Sequence, residues 1–192
     1  IRDYSEYRSA VPVRDYEAIK PYIQAIAKGE KDVLWPGLPI YFAKTSGTTS
    51  GVKYIPITPA SMPNHTQSAR LSLLRYIERT GNTEFINGKY IFISGSPELE
   101  SHGVIPTGRL SGIVHHHVPF YVNRNKLPAF TTNCIPDWEE KLEKIIDETL
   151  VKKMTLISGI PPWIEMYFER LIRRTGKNSI SEIFPHFSLF VH

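Results

Sequence analysis

The residues best suited to chemistry lie in one short polar stretch, which we call the Ser/Thr/Gly segment. It consists of Thr45, Ser46, Gly47, Thr48, Thr49, Ser50 and Gly51, with Lys53 two positions further on. Glycine permits backbone conformations in which successive amide N–H groups converge on an anion, and five hydroxyl groups add further donors. The Lys53 ammonium adds a charge that suits phosphate. The pattern therefore predicts a loop that binds the phosphates of a nucleotide.

A second interpretation of this segment remains open. Apolar, strand-like runs flank it at residues 40–43 and 54–57, so it could be a flexible connection between two strands that binds nothing. The segment lacks the Gly-Lys-Ser/Thr ending of a Walker loop, which argues against a P-loop NTPase. Phosphate binding would therefore require a different arrangement of donors.

Three consecutive histidines, His115, His116 and His117, raise the question of a metal site. In a strand, His115 and His117 would share one face. A zinc site needs three or four ligands in fixed geometry, and neither a nearby Cys or Glu spacing nor the isolated Cys134 supplies the remainder. We therefore predict no metal site and interpret the histidines as exposed or pocket-lining side chains.

Arg70 is the candidate for binding a carboxylate substrate. It follows the Ser/Thr/Gly segment on the next predicted helix, where a guanidinium could hold a carboxylate through two hydrogen bonds. A solvated helix arginine is the alternative. Arg109 and His117 are weaker candidates for the same role, and no Ser-His-Asp or nucleophile-elbow pattern is found. The acidic pair at 139–140 is interpreted as part of a solvated helix face.

The predicted helices and strands alternate along the chain. Helices are predicted over 15–28 (in two pieces, the second beginning at Pro21), from 58–59 to about 79 with Pro63 as an alternative start, over 137–149 and over 161–175. The core face of the second of these helices is predicted to consist of Ala69, Leu73, Tyr76 and Ile77. Strands are predicted at 89–94, 154–157 and 187–191. This spacing predicts βαβ units, and hence an α/β fold with a partly parallel sheet covered by helices.

Two further loops of small residues follow predicted strands, at 94–97 and 158–161. Ligands of α/β sheets bind beyond the carboxyl ends of strands, so these loops could line one cleft together with the Ser/Thr/Gly segment. The alternative is that they are simple strand-to-helix turns.

Composition narrows the classes of function. The 192 residues are 41% hydrophobic and 22% charged, as expected for a globular domain. The net charge of +4 comes from dispersed basic residues, which suits an anionic ligand such as ATP better than nucleic acid. The lone Cys134 excludes an intrachain disulfide and favours a cytoplasmic location, and no apolar run approaches the ~20 residues of a membrane span. We expect no nucleic-acid or membrane partner, and the sequence carries no indication of an oligomeric state.

The Ser/Thr/Gly segment and the residues 52–57 after it resemble the phosphate-binding signature of adenylate-forming enzymes, with one extra small residue before the last glycine. This variant is similar to the Gretchen-Hagen-three (auxin-responsive promoter) family of acyl acid–amido synthetases, especially its bacterial members. Blocks at 11–16, 34–37, 95–97 and 158–163 resemble the same family in the same order. The resemblance implies that residues 1–192 are the N-terminal part of a large adenylating domain with a mixed sheet, without the C-terminal lid domain.

The resemblance also implies an ATP- and Mg²⁺-dependent ligase that acts on a small carboxylic acid and an amino acid. The acid attacks the α-phosphate of ATP to give an acyl-adenylate and pyrophosphate, and an amine then displaces AMP to form an amide. Preorganised donors would stabilise charge on the separating phosphates. The residues assigned to the β- and γ-phosphates are Ser46, Thr48, Thr49 and Lys53, with Thr48 and Lys53 as catalytic groups. Arg70 occupies a helix position that resembles one where the family places acyl-pocket residues.

Parts of the family pattern are missing from these 192 residues. We find neither the second signature, a Tyr-containing block with Ser-Glu, nor the later Asp that binds the ribose. The chain also stops at His192 directly after a predicted strand, so we expect an N-terminal portion that is inactive alone. Two alternatives remain open: a non-catalytic nucleotide- or phosphate-binding module, and an acyl-CoA-forming relative in which a thiol replaces the amine.

Overall fold

The computed structural model describes residues 2–45 and 51–192 of the chain. Its helices are α1 (Tyr4–Ala10), α2 (Tyr16–Ala27), α3 (Met62–Thr80), α4 (Leu110–His115), α5 (Phe120–Asn123), α6 (Phe130–Asn133), α7 (Trp138–Thr149), α8 (Pro161–Thr175) and α9 (Ile180–Ile183). Its strands are β1 (Tyr41–Thr45), β2 (Lys53–Ile57), β3 (Lys89–Ile93), β4 (Glu100–His102), β5 (Ile105–Gly108), β6 (Lys126–Leu127), β7 (Met154–Gly159) and β8 (Leu189–Val191). None of the helices in these ranges has both the length and the apolar character needed to cross a membrane. The chain divides into two compact units: Ile1–Pro59 with Glu100–Thr107, and Ala60–Leu99 with Gly108–His192.

The first unit contains a four-stranded sheet with the order β2-β1-β5-β4, in which the β1–β2 and β4–β5 pairs are antiparallel. Helix α2 begins after Asp15, because the carboxylate of Asp15 accepts a hydrogen bond from the backbone N–H of Ala18 at 2.9 Å. Ile23 and Ile26 of this helix are buried against Phe42 of β1. These apolar contacts form the core of the first unit.

The second unit contains a parallel sheet with the order β6-β3-β7-β8. Helix α7 begins after Asp137, whose carboxylate accepts a hydrogen bond from Glu140 N. Helix α8 has Pro161 and Pro162 in its first turn and ends at Gly176, where φ is 67°. The α/β fold with parallel βαβ units covered by helices is therefore confirmed, and the predicted mixture of strand directions is divided between two sheets.

The core of the second unit joins the parallel sheet to α7 and α8. Its buried members are Ile91, Ile93, Leu142, Ile145, Ile146, Met154, Ile157, Ile164, Tyr167, Leu171 and Phe184. On the surface, Arg170 of α8 pairs with Glu139 and Glu143 of α7, and Arg174 pairs with Glu143 and Asp147. Glu139, which was predicted to be merely solvated, therefore takes part in an ion-pair row between the two helices.

Three local predictions are wrong. Helix α2 is continuous through Pro21, because losing one backbone hydrogen bond costs less than separating the buried isoleucines of the helix. Helix α3 begins at Met62, next to the alternative start at Pro63, and not at 58–59, because residues 59–61 form a turn. Ala69 is exposed, whereas Leu73, Tyr76 and Ile77 of the same predicted face are partly buried, so the face is shorter than predicted at its N-terminal end.

Candidate functional site

The strands that flank the Ser/Thr/Gly segment form a regular antiparallel hairpin. The pairing extends from Tyr41 opposite Ile57 to Thr45 opposite Lys53, so residues 46–52 connect the two strands at that end. Thr45, which carries a hydroxyl, therefore lies directly opposite Lys53 at this end of the hairpin. The predicted phosphate ligands Ser46, Gly47, Thr48, Thr49 and Ser50 lie outside the described residues, and their roles stay predictions.

Lys53 contacts an aromatic ring at the end of the hairpin. Its Nζ lies 5.8 Å from the centroid of the Tyr16 ring, within the range of a cation–π contact, and the Tyr16 hydroxyl accepts a hydrogen bond from Tyr54 N at 2.8 Å. None of the ion pairs in the described part of the chain includes Lys53. Gly51 adopts a φ of 76° in open space, a conformation that favours glycine. The roles of Lys53 and Gly51 in phosphate binding stay predictions.

The other two segments of small residues leave the same edge of the parallel sheet. In the β3–β7 pair, Phe92 lies opposite Ser158 and Ile93 lies opposite Gly159, so the segments 94–97 and 158–161 begin side by side. A Cβ atom on Gly159 would lie 3.0 Å from the carbonyl oxygen of Ile93, which makes glycine the suitable residue here. Their placement at adjacent carboxyl ends is confirmed, and their role as pocket walls stays a prediction.

Lys141 of α7 binds the backbone where β3 ends. Its ammonium donates hydrogen bonds to the carbonyl oxygens of Ser94 at 3.0 Å and Asn133 at 2.9 Å. Only 5% of Lys141 is exposed, and burial lowers the pKa of its ammonium. Two backbone carbonyl dipoles therefore stabilise the buried charge, and Lys141 fixes the start of the 94–97 segment.

Helix α4 packs closely against the 94–97 segment. A Cβ atom on Gly112 would lie 2.4 Å from a backbone carbonyl oxygen of the segment, so only glycine allows this approach. His116 Nε2 donates a hydrogen bond to the carbonyl oxygen of Pro97 at 2.7 Å. Arg109 lies at the start of α4. Its side chain is so close to Gly95 that a Cβ atom added to Gly95 would lie 2.8 Å from Arg109 Cδ. Arg109, a weaker candidate for binding substrate, therefore lies at this edge of the parallel sheet.

The histidines lie at the end of α4 and not in a strand. His115 is the last residue of the helix and His116 is its C-cap, so the predicted alternation of faces is wrong. The inward packing of Gly112 and Ile113 selects the helical conformation. Across residues 2–45 and 51–192, no group of three His, Cys, Asp or Glu side chains could hold a metal ion.

A cleft of about 460 Å³ opens beside His115. Lys126 Nζ lies 3.0 Å from Nδ1 and 2.9 Å from Nε2 of that imidazole. Burial, together with the neighbouring Lys126 and His116, lowers the pKa of His115 to about 4, and burial lowers the pKa of Lys126 to about 8. At neutral pH the cleft therefore contains a neutral His115 beside a Lys126 that is mostly charged.

Arg70 and His117 are the remaining candidates. Arg70 lies on α3 with its side chain exposed, and His117 follows the C-cap of α4. Arg70 belongs to the second unit, whereas Thr45, Gly51 and Lys53 belong to the first. Its role in binding substrate stays a prediction.

Comparison with known proteins identifies the family. Residues 1–133 match the GH3 family N-terminal domain. The chain belongs to the GH3 family. Jasmonoyl--L-amino acid synthetase JAR6 of Nicotiana attenuata is 27% identical over 135 residues, which are 69% of this chain and 22% of that protein. The family that the motifs predicted is therefore confirmed, for a chain that spans about a fifth of the length of that relative.

Two solved structures resemble this GH3 chain. AtGH3.15 acyl acid amido synthetase in complex with 2,4-DB superposes with a TM-score of 0.62 at 18% identity, over 97% of this chain and 37% of that chain. Another structure of GH3.15 acyl acid amido synthetase gives a TM-score of 0.63 at 18% identity, over 93% and 33% of the respective chains. The α/β fold is therefore that of part of an acyl acid amido synthetase.

Two lysines of this GH3 chain were missed by the sequence reasoning. Lys141 lies three residues after Trp138 and four before Ile145, which places it on the apolar face of α7. A lysine on such a face must find buried hydrogen-bond acceptors, so the buried position of Lys141 could have been predicted from the sequence. Lys126 lies eleven residues after His115 across irregular structure, and no sequence periodicity connects the two.

Proposed function

We propose that this chain is the N-terminal part of the adenylating domain of a cytoplasmic, ATP-dependent acid–amino acid ligase. The observation that carries the proposal is the β1–β2 register, which sets Thr45 opposite Lys53 at the end of a hairpin. The connecting residues 46–52 contain the hydroxyls and glycines suited to the phosphates of ATP. Membership of the GH3 family supports the same function for this stretch.

In the proposed first step, a carboxylate oxygen of the acid attacks the α-phosphorus of ATP, and the bond to the pyrophosphate oxygen breaks. Negative charge then increases on the departing pyrophosphate. The Lys53 ammonium and the Thr48 hydroxyl would stabilise that charge more strongly in the transition state than in the bound substrate, which lowers the barrier. Ser46 and Thr49 would donate hydrogen bonds to the β- and γ-phosphates.

In the proposed second step, an amine nitrogen attacks the acyl carbon, and AMP leaves with the electron pair of the broken bond. Jasmonoyl--L-amino acid synthetase JAR6 is named for an amino acid product, which supports an amino acid as the acceptor. An acyl-CoA-forming relative would instead use a thiol for the same displacement. The two reactions share the first step, so they differ only in the acceptor.

Mg²⁺ would enter with ATP and offset part of the charge on the phosphate oxygens. The ammonium of Lys53 at the hairpin end suits an anion and repels a cation. The described residues place no three His, Cys, Asp or Glu side chains together at any point. We therefore assign Mg²⁺ to the nucleotide and assign it no ligand from this part of the chain.

Arg70 is proposed to orient the carboxylate of the acid substrate. Its side chain is exposed on α3 and takes part in none of the ion pairs of the described residues. A guanidinium can hold a carboxylate through two parallel hydrogen bonds, which fixes the direction of attack. A complex of AtGH3.15 with 2,4-DB supports a small-molecule ligand for the fold.

The test is acid-dependent pyrophosphate exchange by the full-length protein, with a panel of carboxylic acids and amino acids. Lys53→Ala and Thr48→Ala should each lower exchange by about 10²–10³-fold, because each removes one charge-stabilising group. Lys152→Ala, at an exposed lysine outside the hairpin, is the matched control and should leave exchange unchanged.

Exchange that is unaffected by both hairpin substitutions would contradict the proposal and favour a non-catalytic nucleotide-binding module. Product mass separates the remaining alternatives, since an amide supports the ligase and a coenzyme A thioester identifies the acyl-CoA-forming relative. The isolated 192 residues should bind ATP weakly and show no exchange.

A further inference from the structure

We propose that Tyr16 is a positioning residue for Lys53: the Tyr16 ring holds the Lys53 ammonium at the end of the β1–β2 hairpin, where the phosphates of ATP are proposed to bind. The inference rests on the proposed ligase function and adds to it a residue outside the Ser/Thr/Gly segment. Tyr16 is the first residue of α2, and Lys53 is the first residue of β2. Their contact therefore joins the start of a helix to the start of a strand that is distant in the sequence.

Helix α2 gives the Tyr16 side chain a fixed place. Asp15 caps the first turn of the helix, because its carboxylate accepts a hydrogen bond from Ala18 N at 2.9 Å. Further along the helix, Ile23 and Ile26 are buried in the core of the first unit. A side chain on a capped and packed helix is held more precisely than one on a loop. Tyr16 thus gives the hairpin a rigid point of attachment.

The Tyr16 hydroxyl fixes the backbone beside Lys53. In the described sheet, β2 is an edge strand, so one row of its backbone N–H groups points away from β1. Tyr54 N donates a hydrogen bond to the Tyr16 hydroxyl oxygen at 2.8 Å. The Tyr54 ring stacks on His102, with centroids 3.9 Å apart and an angle of 11° between the planes. The residue directly after Lys53 is therefore held through both its backbone and its side chain.

The Tyr16 ring restrains the Lys53 side chain itself. Lys53 Nζ lies 5.8 Å from the ring centroid, within the range of a cation–π contact. Lysine has a long, flexible stem, so an ammonium without such a contact would sample many positions. No ion pair in the described part of the chain includes Lys53. A carboxylate partner would offset the charge of the ammonium, whereas an aromatic ring attracts the ammonium and carries no net charge. Tyr16 therefore restrains Lys53 and leaves its charge for an anion.

This restraint has a consequence for the proposed first step. An ammonium that is already restrained loses less conformational freedom when it meets the phosphates, so more of its attraction is retained in the transition state. Tyr16 is assigned no contact with ATP and acts only through Lys53. The value of kcat/KM for ATP should therefore depend on the Tyr16 ring only while Lys53 is present.

The test is acid-dependent pyrophosphate exchange by the full-length protein at varied ATP concentration. Tyr16→Leu should lower kcat/KM for ATP by about tenfold, which is the order of magnitude of a partly desolvated cation–π contact. In the Lys53→Ala background the same substitution should cause no further loss. Tyr22→Leu, at an exposed tyrosine of the same helix, is the matched control and should leave exchange unchanged.

A second comparison keeps the shape of the ring and changes only its electron density. Tyr16→Phe should keep most of the exchange activity, because the ring face remains. Replacement of Tyr16 by trifluorophenylalanine should lower kcat/KM for ATP by about threefold or more relative to Tyr16→Phe, because fluorine withdraws electron density from the face that attracts the ammonium. Circular dichroism checks that each variant is folded, and this pair decides the question if Tyr16→Leu is not.

Two outcomes would overturn the role of Tyr16 alone. One is equal exchange by the phenylalanine and trifluorophenylalanine variants, and the other is an equal loss on Tyr16→Leu with and without Lys53. Either result would show that Tyr16 serves the fold and does not act through Lys53. If Lys53→Ala itself leaves exchange unchanged, the proposed role of Lys53 fails, and the role of Tyr16 fails with it.

Discussion

The two units of the chain bury very different amounts of apolar surface. Among the described residues, the core of the second unit joins eleven buried side chains, whereas that of the first joins five, from α2, β1 and β5. Burial of apolar surface is the dominant favourable term in folding, so the second unit should resist opening more strongly. The unit that contains the hairpin is thus expected to be the less stable of the two.

This difference separates the parts that carry stability from the part proposed to carry chemistry. In the second unit, buried Lys141 and the close approach of Gly112 hold the 94–97 segment firmly. The hairpin that ends at Thr45 and Lys53 belongs to the unit with the smaller core. A hairpin proposed to admit ATP and release products can change conformation at lower free-energy cost when fewer apolar contacts restrain it.

Removing a core side chain of the second unit should have the largest effect on stability. Leu171 is fully buried between α8 and the sheet, so Leu171→Ala should lower the free energy of unfolding by about 2–5 kcal/mol through lost burial and a cavity. Denaturant unfolding measures this loss, and Leu171→Met, which keeps the volume, should cost less than about 1.5 kcal/mol. Amide exchange should become faster mainly in the second unit. Equal acceleration of amide exchange in both units would show that they unfold together and do not differ in stability.

A glycine of the first unit provides the reciprocal test. Gly103 has a φ of 62°, and a Cβ atom there would lie 1.8 Å from the carbonyl oxygen of Ala27. Gly103→Ala should therefore cost about 2–4 kcal/mol, because it combines backbone strain with a steric clash at the end of α2. Amide exchange should accelerate in the first unit. Gly37→Ala is the matched control, since its φ of 78° is similar but nothing lies within 4 Å, and it should cost only about 1–2 kcal/mol. A similar cost for both variants would exclude a close packing of the β4–β5 turn on α2.

The smallest expected effect concerns the pH dependence of the second unit. The pKa of His115 is about 4 in the folded protein, below the ordinary value of 6.5, because of burial, Lys126 and His116. Between these values the unfolded chain binds a proton that the folded chain does not, so this group lowers stability as the pH falls through the window. His115→Asn should lose less stability than the wild type between about pH 7 and pH 4.5 in thermal unfolding. Exposed His186→Asn is the control, and identical slopes for His115→Asn and wild type would show that His115 does not contribute.

Local residue patterns were sufficient to predict several ends of the longer helices. Asp15 and Asp137, where two of the predicted helices begin, cap α2 and α7, and Gly81 and Gly176 follow the ends of α3 and α8 with positive φ. These signals work because a cap depends on groups within one turn of the chain. The prediction that Pro21 divides α2 failed because the conformation there does not depend on neighbours alone. Burial against distant residues of the first unit outweighs the local preference of proline.

The candidate site was predictable only in part. The Ser/Thr/Gly segment and Lys53 stand out from residue type alone, because hydroxyls, glycines and an ammonium are adjacent in the chain. The cleft at β6 could not be recognised from residue type, because His115 and Lys126 meet only after α4, α5 and β6 have packed. The contact of Lys141 with Ser94 likewise joins residues 47 positions apart.

The sequence by itself determined the alternation of strands and helices, the helix caps, the family and the single chemically distinctive segment, because each of these depends on neighbours along the chain. Only the tertiary structure decided that the strands form two sheets and that Thr45 faces Lys53. It also decided that Lys141 is buried and Lys126 half-buried, neither of them in an ion pair among the described residues. These features depend on burial and on contacts between distant residues, whose free energies no local pattern contains.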